Sequence, residues 1–150
     1  MEPVQLNHLF AMTAHLHFRT TVCRHNEYGI GEGQPKVLFA LRDEDGQSQA
    51  DLARHFHLEP ASVTALLGRM EKAGLIERCA DKQDLRVTRV FLSNAGRAQL
   101  STMDRINVEI GDVCFEGFSE EECRQASLFL ERMRANMERA QIARKEGEPR

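Results

Sequence analysis

Between Pro60 and Ala73, short hydroxyl and basic side chains share one side of a helical period and apolar ones the other. Ser62, Thr64, Ala65, Gly68, Arg69 and Lys72 make the first set. Val63, Leu66, Leu67 and Met70, spaced i, i+3, i+4 and i+7, make the second. Hydroxyls and a guanidinium at this spacing suit hydrogen bonding to a polar, anionic partner. Small neighbours allow close approach, so the chemistry favoured is contact with base edges and phosphates. Taken singly, each of these residues reads as part of an ordinary solvated helix face. The surrounding elements decide between the two.

Those elements are short and clearly punctuated. Ser48 with Asp51 three residues on forms a capping-box pattern that opens a helix whose apolar face is Leu52, Ala53 and Phe56. His57-Leu58-Glu59-Pro60 turns the chain, and Pro60 suits the first position of the next helix, where its missing N–H is no loss. Gly74 stops that helix as a left-handed C′ residue. A strand starts at Leu75-Ile76, Ala80 to Leu85 is a polar turn, and Arg86 to Leu92 alternates as the return strand. Ser93 caps the helix that follows. Two helices, a turn and a hairpin in this order predict a winged helix-turn-helix, a reader that lays one helix in the major groove with a wing beside it.

Here the resemblance to a known family is specific. Thr64, Lys72-Ala73-Gly74-Leu75-Ile76-Glu77-Arg78, Asp84-Leu85-Arg86 and Leu92-Ser93-Asn94-Ala95-Gly96 stand in register with the landmarks of the MarR (multiple antibiotic resistance) regulators. The match is closest over about residues 34–97. The resemblance implies a mainly α fold with a small β-hairpin wing, flanked by N- and C-terminal dimerisation helices. It implies a sequence-specific regulator of transcription: a homodimer that represses from a pseudo-palindromic double-stranded operator and is released by a small aromatic or anionic effector. Gln49, Ser62, Thr64, Arg69, Lys82 and Arg86 are the expected DNA contacts, with Arg86 entering the minor groove. Asp84 is expected to orient the wing by pairing with an arginine. The effector site is expected between the dimer helices and the reader, with His15, Arg19 and Tyr28 as candidates. The sequence also departs from the family: Ala65 and Leu85 stand where relatives often carry a basic residue, and Gln49 is placed to compensate through phosphate.

Outside the reader, apolar stripes recur on long helices. Residues 4–28 carry Leu6, Leu9, Phe10, Leu16 and Cys23, a stripe that wants a partner. A glycine-rich break over 28–33 precedes a short helix at 34–41 with Val37, Leu38 and Leu41 inward. From Ser93 to about Phe115, Leu100, Met103, Ile106, Ile110 and Val113 share a face. Ser119 with Glu122 opens a last helix to about Arg139, followed by a polar tail over 143–150. The whole of 1–150 is therefore expected to be a single domain, with dimerisation helices at about 4–28 and 94–140. Doubling such a reader allows two recognition helices to meet a palindrome.

Composition narrows the alternatives. The chain has 150 residues, 41% hydrophobic and 29% charged, as in globular proteins. A net charge of −3 excludes a sequence-independent DNA coat, which needs a broadly basic surface, but not a reader whose cations are local. Arg78, Lys82, Arg86 and Arg89 outnumber Asp81 and Asp84 across the wing. No stretch is long and apolar enough for a membrane span and no leader pattern opens the chain, so the cytoplasm is the expected location. Cys23, Cys79, Cys114 and Cys123 are scattered without a C-x-x-C pair, which indicates neither a disulfide framework nor a zinc site. Cys23, beside Arg24 and His25, is the candidate for a thiol-based switch, the alternative being a small apolar member of its stripe. His8, His15, His17 and His25 lack an H-x-x-x-H spacing, so no metal and no cofactor is expected. A winged-helix module that binds protein rather than DNA is a further alternative. An enzyme is not expected, because no phosphate loop, G-x-S-x-G or H-E-x-x-H is present.

Overall fold

In the computed structural model, which describes residues 2–147, helix starts and stops fall where local chemistry sets them. The order is α1 (Pro3–Glu27), α2 (Gln34–Asp43), α3 (Gln49–Phe56), α4 (Pro60–Lys72), β1 (Ile76–Ala80), β2 (Thr88–Leu92), α5 (Asn94–Cys114) and α6 (Glu120–Gly147). Pro3, Pro35 and Pro60 lie in the first turns of α1, α2 and α4, where a backbone N–H would have no partner. The Ser48 Oγ accepts the Asp51 N–H at 3.0 Å and donates to the Asp51 carboxylate at 2.6 Å, which fixes the start of α3. At the end of α4, Gly74 has φ +72°. The Leu75 N–H reaches the Met70 carbonyl at 3.0 Å and the Gly74 N–H the Glu71 carbonyl at 2.9 Å, a Schellman closure.

The chain forms two compact units, one up to Ile110 and one from Gly111. In the first, Val37, Leu38, Leu41, Leu52, Val63, Leu67, Met70, Val90, Met103 and Ile106 are fully buried, so the core joins α2, α3, α4, β2 and α5. β1 and β2 pair antiparallel from Ile76↔Leu92 to Ala80↔Thr88. The return strand therefore begins at Thr88, not at Arg86 as the alternation predicted. The reason is local: the Asp84 side chain and carbonyl accept the N–H groups of Arg86 and Val87 at 3.0 and 2.9 Å, which removes both from the ladder.

α5 opens on Ser93, whose Oγ accepts the Gly96 N–H at 3.0 Å and donates to the Gly74 carbonyl. Gly96 lies so close to the β1 entry that a Cβ there would stand 2.1 Å from the Leu75 carbonyl oxygen. Asp45 in the α2–α3 turn accepts the Leu92 N–H at 2.9 Å and pairs with Arg97 at 2.7 Å, which ties that turn to β2 and to α5. In the second unit, Ser119 and Glu122 cap α6 reciprocally, with Ser119 N–H to Glu122 at 2.8 Å and Glu122 N–H to Ser119 at 3.3 Å. α6 continues to Gly147 rather than ending near Arg139. Of the polar tail, residues 148–150 lie outside the described residues.

Candidate nucleic-acid interface

α4 divides as its sequence indicates: Val63, Leu66, Leu67 and Met70 are buried, and Ser62, Thr64, Ala65 and Arg69 are exposed. Thr64 is also bonded on both sides. Its hydroxyl donates to the Pro60 carbonyl at 2.8 Å and accepts from the Gln49 side-chain amide. Gln49 thereby links the first turn of α3 to the first turns of α4. A groove of about 870 Å³ runs between the α3–α4 turn and the wing, with Gln49, Arg54, His57, Pro60, Arg86 and Thr88 among its walls. Two of the expected contacts, Gln49 and Arg86, thus share one concave surface.

In the wing the cations separate by role. The Arg78 guanidinium holds Glu71 of α4 at 2.6 Å and lowers that carboxyl's pKa. Arg89 pairs with Asp81 at 2.6 Å and donates to the Gly46 carbonyl at 3.2 Å. Asp81 also accepts the Gln83 and Asp84 N–H groups at 2.8 and 3.0 Å. Its carboxyl is held at about 2, first by Arg89 and then by the Asp84 and Gln83 N–H groups. The arginine partner expected of Asp84 therefore belongs to Asp81, while Asp84 orders the turn through the Arg86 backbone. Asp81 was the organising residue missed in the sequence, although aspartate two and three residues before the N–H groups it accepts is an Asx-turn signal. Lys82 and Arg86 are exposed and, among the described residues, form no ion pair. They are the wing's available positive charges.

The remaining candidates do not converge within one chain. His15 and Arg19 are exposed on α1, and from residue 15 to residue 28 a helix would rise about 20 Å. Tyr28 instead lies within cation–π reach of two guanidinium groups, with Arg24 and Arg105 at 5.7 and 5.5 Å from its ring centroid. Arg24 pairs with both Glu27 and Glu109, so the cation beside Cys23 is engaged by carboxylates. Cys23, Cys79 and Cys114 are exposed and Cys123 is half-buried. Among the described residues no group of three or more His, Cys, Asp or Glu side chains is placed to hold a metal. No described helix is long and apolar enough to cross a membrane.

A helix with a small, polar outer face, set by a second helix and flanked by a two-stranded wing, defines a winged helix-turn-helix. A model of the MarR family matches residues 30–88. The regulator YdgJ of Bacillus subtilis is 29% identical over 109 residues, which is 73% of this chain and 66% of YdgJ. The repressor IacR of Pseudomonas putida is 24% identical over 103 residues, 69% of this chain and 62% of its own length. The chain thus spans less than two thirds of the length of these two relatives. Among solved structures, MepR of Staphylococcus aureus, a transcription regulator of the multidrug efflux pump MepA, superposes with a TM-score of 0.76 at 26% identity, over 87% of this chain and 97% of MepR. MepR has also been solved in complex with DNA, and that form superposes with a TM-score of 0.69. Over residues 30–88 the chain is thus similar to the MarR family.

Proposed function

We propose that the chain is a sequence-specific DNA-binding regulator of transcription, acting as a homodimeric repressor on a pseudo-palindromic operator. The observation that carries this reading is the sorting of charge around α4. Arg78 and Arg89 are engaged in holding the wing, whereas Arg69, Lys82 and Arg86 are left on the surface beside a small, hydroxylic helix face. Ser62, Thr64 and Arg69 take the major groove, Arg86 and Lys82 reach the adjacent minor groove or its phosphates, and Gln49 braces the recognition helix. The exposed stripes on α1 and α6 support self-association: Leu9 and Leu16 are 53% and 64% exposed, and Leu130 and Met137 47% and 56%. A small effector that prefers the non-binding spacing of the two recognition helices releases the operator, since only differential affinity shifts a population. The cytoplasm is where such a regulator meets its operator.

The test is fluorescence anisotropy with the chain's own upstream DNA and a scrambled duplex across a salt series. A preference of about a thousandfold for the upstream DNA, with a salt slope of several phosphates per dimer, is expected. Equal weak binding to both duplexes, together with no enrichment from a random-sequence pool, overturns the reading and leaves a protein partner for the winged-helix face.

A further inference from the structure

The bonding of Thr64 carries the DNA reading one step further and rests on it. A threonine hydroxyl has one proton to donate and two lone pairs to accept with. Here the proton is directed to the Pro60 carbonyl at 2.8 Å, and one lone pair takes the Gln49 amide. Both partners lie inside the helix-turn-helix, yet Thr64 itself is exposed on the outer face of α4, between the buried Val63 and Leu66 positions. A base that approaches Thr64 therefore meets a hydroxyl with no proton to give. The N7 and O6 acceptors of guanine, the N7 of adenine and the O4 of thymine all need a donor. What the side chain has free for contact is its γ-methyl group and the one remaining lone pair of a hydroxyl that already holds two partners. Thymine is the base that presents a methyl in the major groove, and the amino groups of adenine and cytosine are the competing partners for the lone pair.

We propose that Thr64 is a specificity-determining residue that reads a thymine through methyl–methyl contact, with its hydroxyl proton withheld from the bases by the Pro60 carbonyl. One thymine in each operator half-site is thereby fixed without a direct hydrogen bond from this residue. Loss of one buried methyl contact corresponds to about a fourfold change in affinity.

The experiment uses the full chain and the operator it selects from a random-sequence duplex pool. Each thymine is replaced in turn by deoxyuridine, which removes only the 5-methyl group, and affinity is read by anisotropy. For the unmodified protein one position per half-site is expected to weaken binding about fourfold. Thr64→Val keeps a methyl and removes the hydroxyl with its bond to Gln49; whatever affinity the lost brace costs, the variant retains the deoxyuridine penalty at the same position. Thr64→Ser keeps the hydroxyl and removes the methyl from both subunits; it binds about sixteenfold more weakly, about fourfold for each half-site, and the deoxyuridine penalty disappears, as a double-mutant cycle requires for a direct contact. Circular-dichroism melts confirm that both variants fold. A Thr64→Ser variant of full affinity beside a Thr64→Val variant weakened tenfold overturns the proposal in favour of hydroxyl reading. Equal deoxyuridine penalties in the serine variant and the unmodified protein overturn it as well. Failure to select any sequence is distinct from both, because it removes the DNA-binding reading and this proposal together.

Discussion

Asp81 and His25 both have lowered pKa values, with opposite consequences for charge: Asp81 is held ionised by its hydrogen-bond partners and His25 is held neutral by burial. Asp81, with its carboxyl held at about 2 against an ordinary 3.8, contributes stability that is present above pH 3.8 and lost as pH falls through 2. Asp81→Asn should therefore lower the melting temperature at neutral pH, and the gap to the unmodified protein should close between pH 4 and 2. A gap that persists at pH 2 would mean that the charge of Asp81 is not what orders the wing. His25 is 7% exposed, its Nε2 has no hydrogen-bond partner among the described residues, and burial lowers its pKa below the usual 6.5. The unfolded chain takes up a proton there that the folded chain resists, so stability falls as pH drops below about 6.5. Urea melts at pH 7.5 and 5.0 should show a smaller acid loss in His25→Gln than in the unmodified protein. Neither role was legible in the sequence. Asp81 and Asp84 are both aspartates in the same turn, and only the fold decides which one faces Arg89. His25 looked like one more histidine on an amphipathic helix, and its burial comes from tertiary packing that periodicity does not encode.

At the scale of elements the sequence was far more readable, because capping and stop signals act over three or four residues. Ser48, Pro60, Gly74, Ser93 and Ser119 each mark a boundary where the structure places one. The misses have the same local origin. β2 starts late because Asp84 claims two backbone N–H groups, and α6 runs on because Ala140 to Ala143 contain no helix breaker. One chemical change at two glycines should separate packing from propensity. Gly96→Ala would drive a methyl group into the Leu75 carbonyl and should destabilise the protein by about 3 kcal/mol, the upper end of overpacking effects. Gly68, in the middle of α4, has nothing within 4 Å of the added Cβ, so Gly68→Ala should stabilise by about 1 kcal/mol through helix propensity alone. Urea denaturation measures both, and equal signs would refute the packing argument.

For the molecule as a whole, the exposed apolar stripes of α1 and α6 set the expected behaviour. Leu9→Glu with Leu16→Glu would place two charges on a face proposed to be covered by a second copy. Sedimentation should then find monomers where the proposed dimer is expected of the unmodified chain, and operator affinity should fall by at least tenfold because one reader alone would hold half a site. A dimer that survives both charges would move the interface elsewhere. The helix periodicities announced that these faces exist, whereas the cation–π contact of Tyr28 with Arg105 of α5 is a tertiary contact that periodicity does not encode. Asp45 has a mechanical consequence at this scale. One carboxylate holds the N-terminal turn of α5 through Arg97 and the last residue of the wing through Leu92, so the three move as a crank about a common pin. From Asn94 to Ile110 the crank arm is about 24 Å long, and a 5° swing about that pin displaces its far end by about 2 Å. A rotation of α5 about that pin would reach the hairpin through Asp45 as well as through the core that Met103, Ile106 and Val90 share.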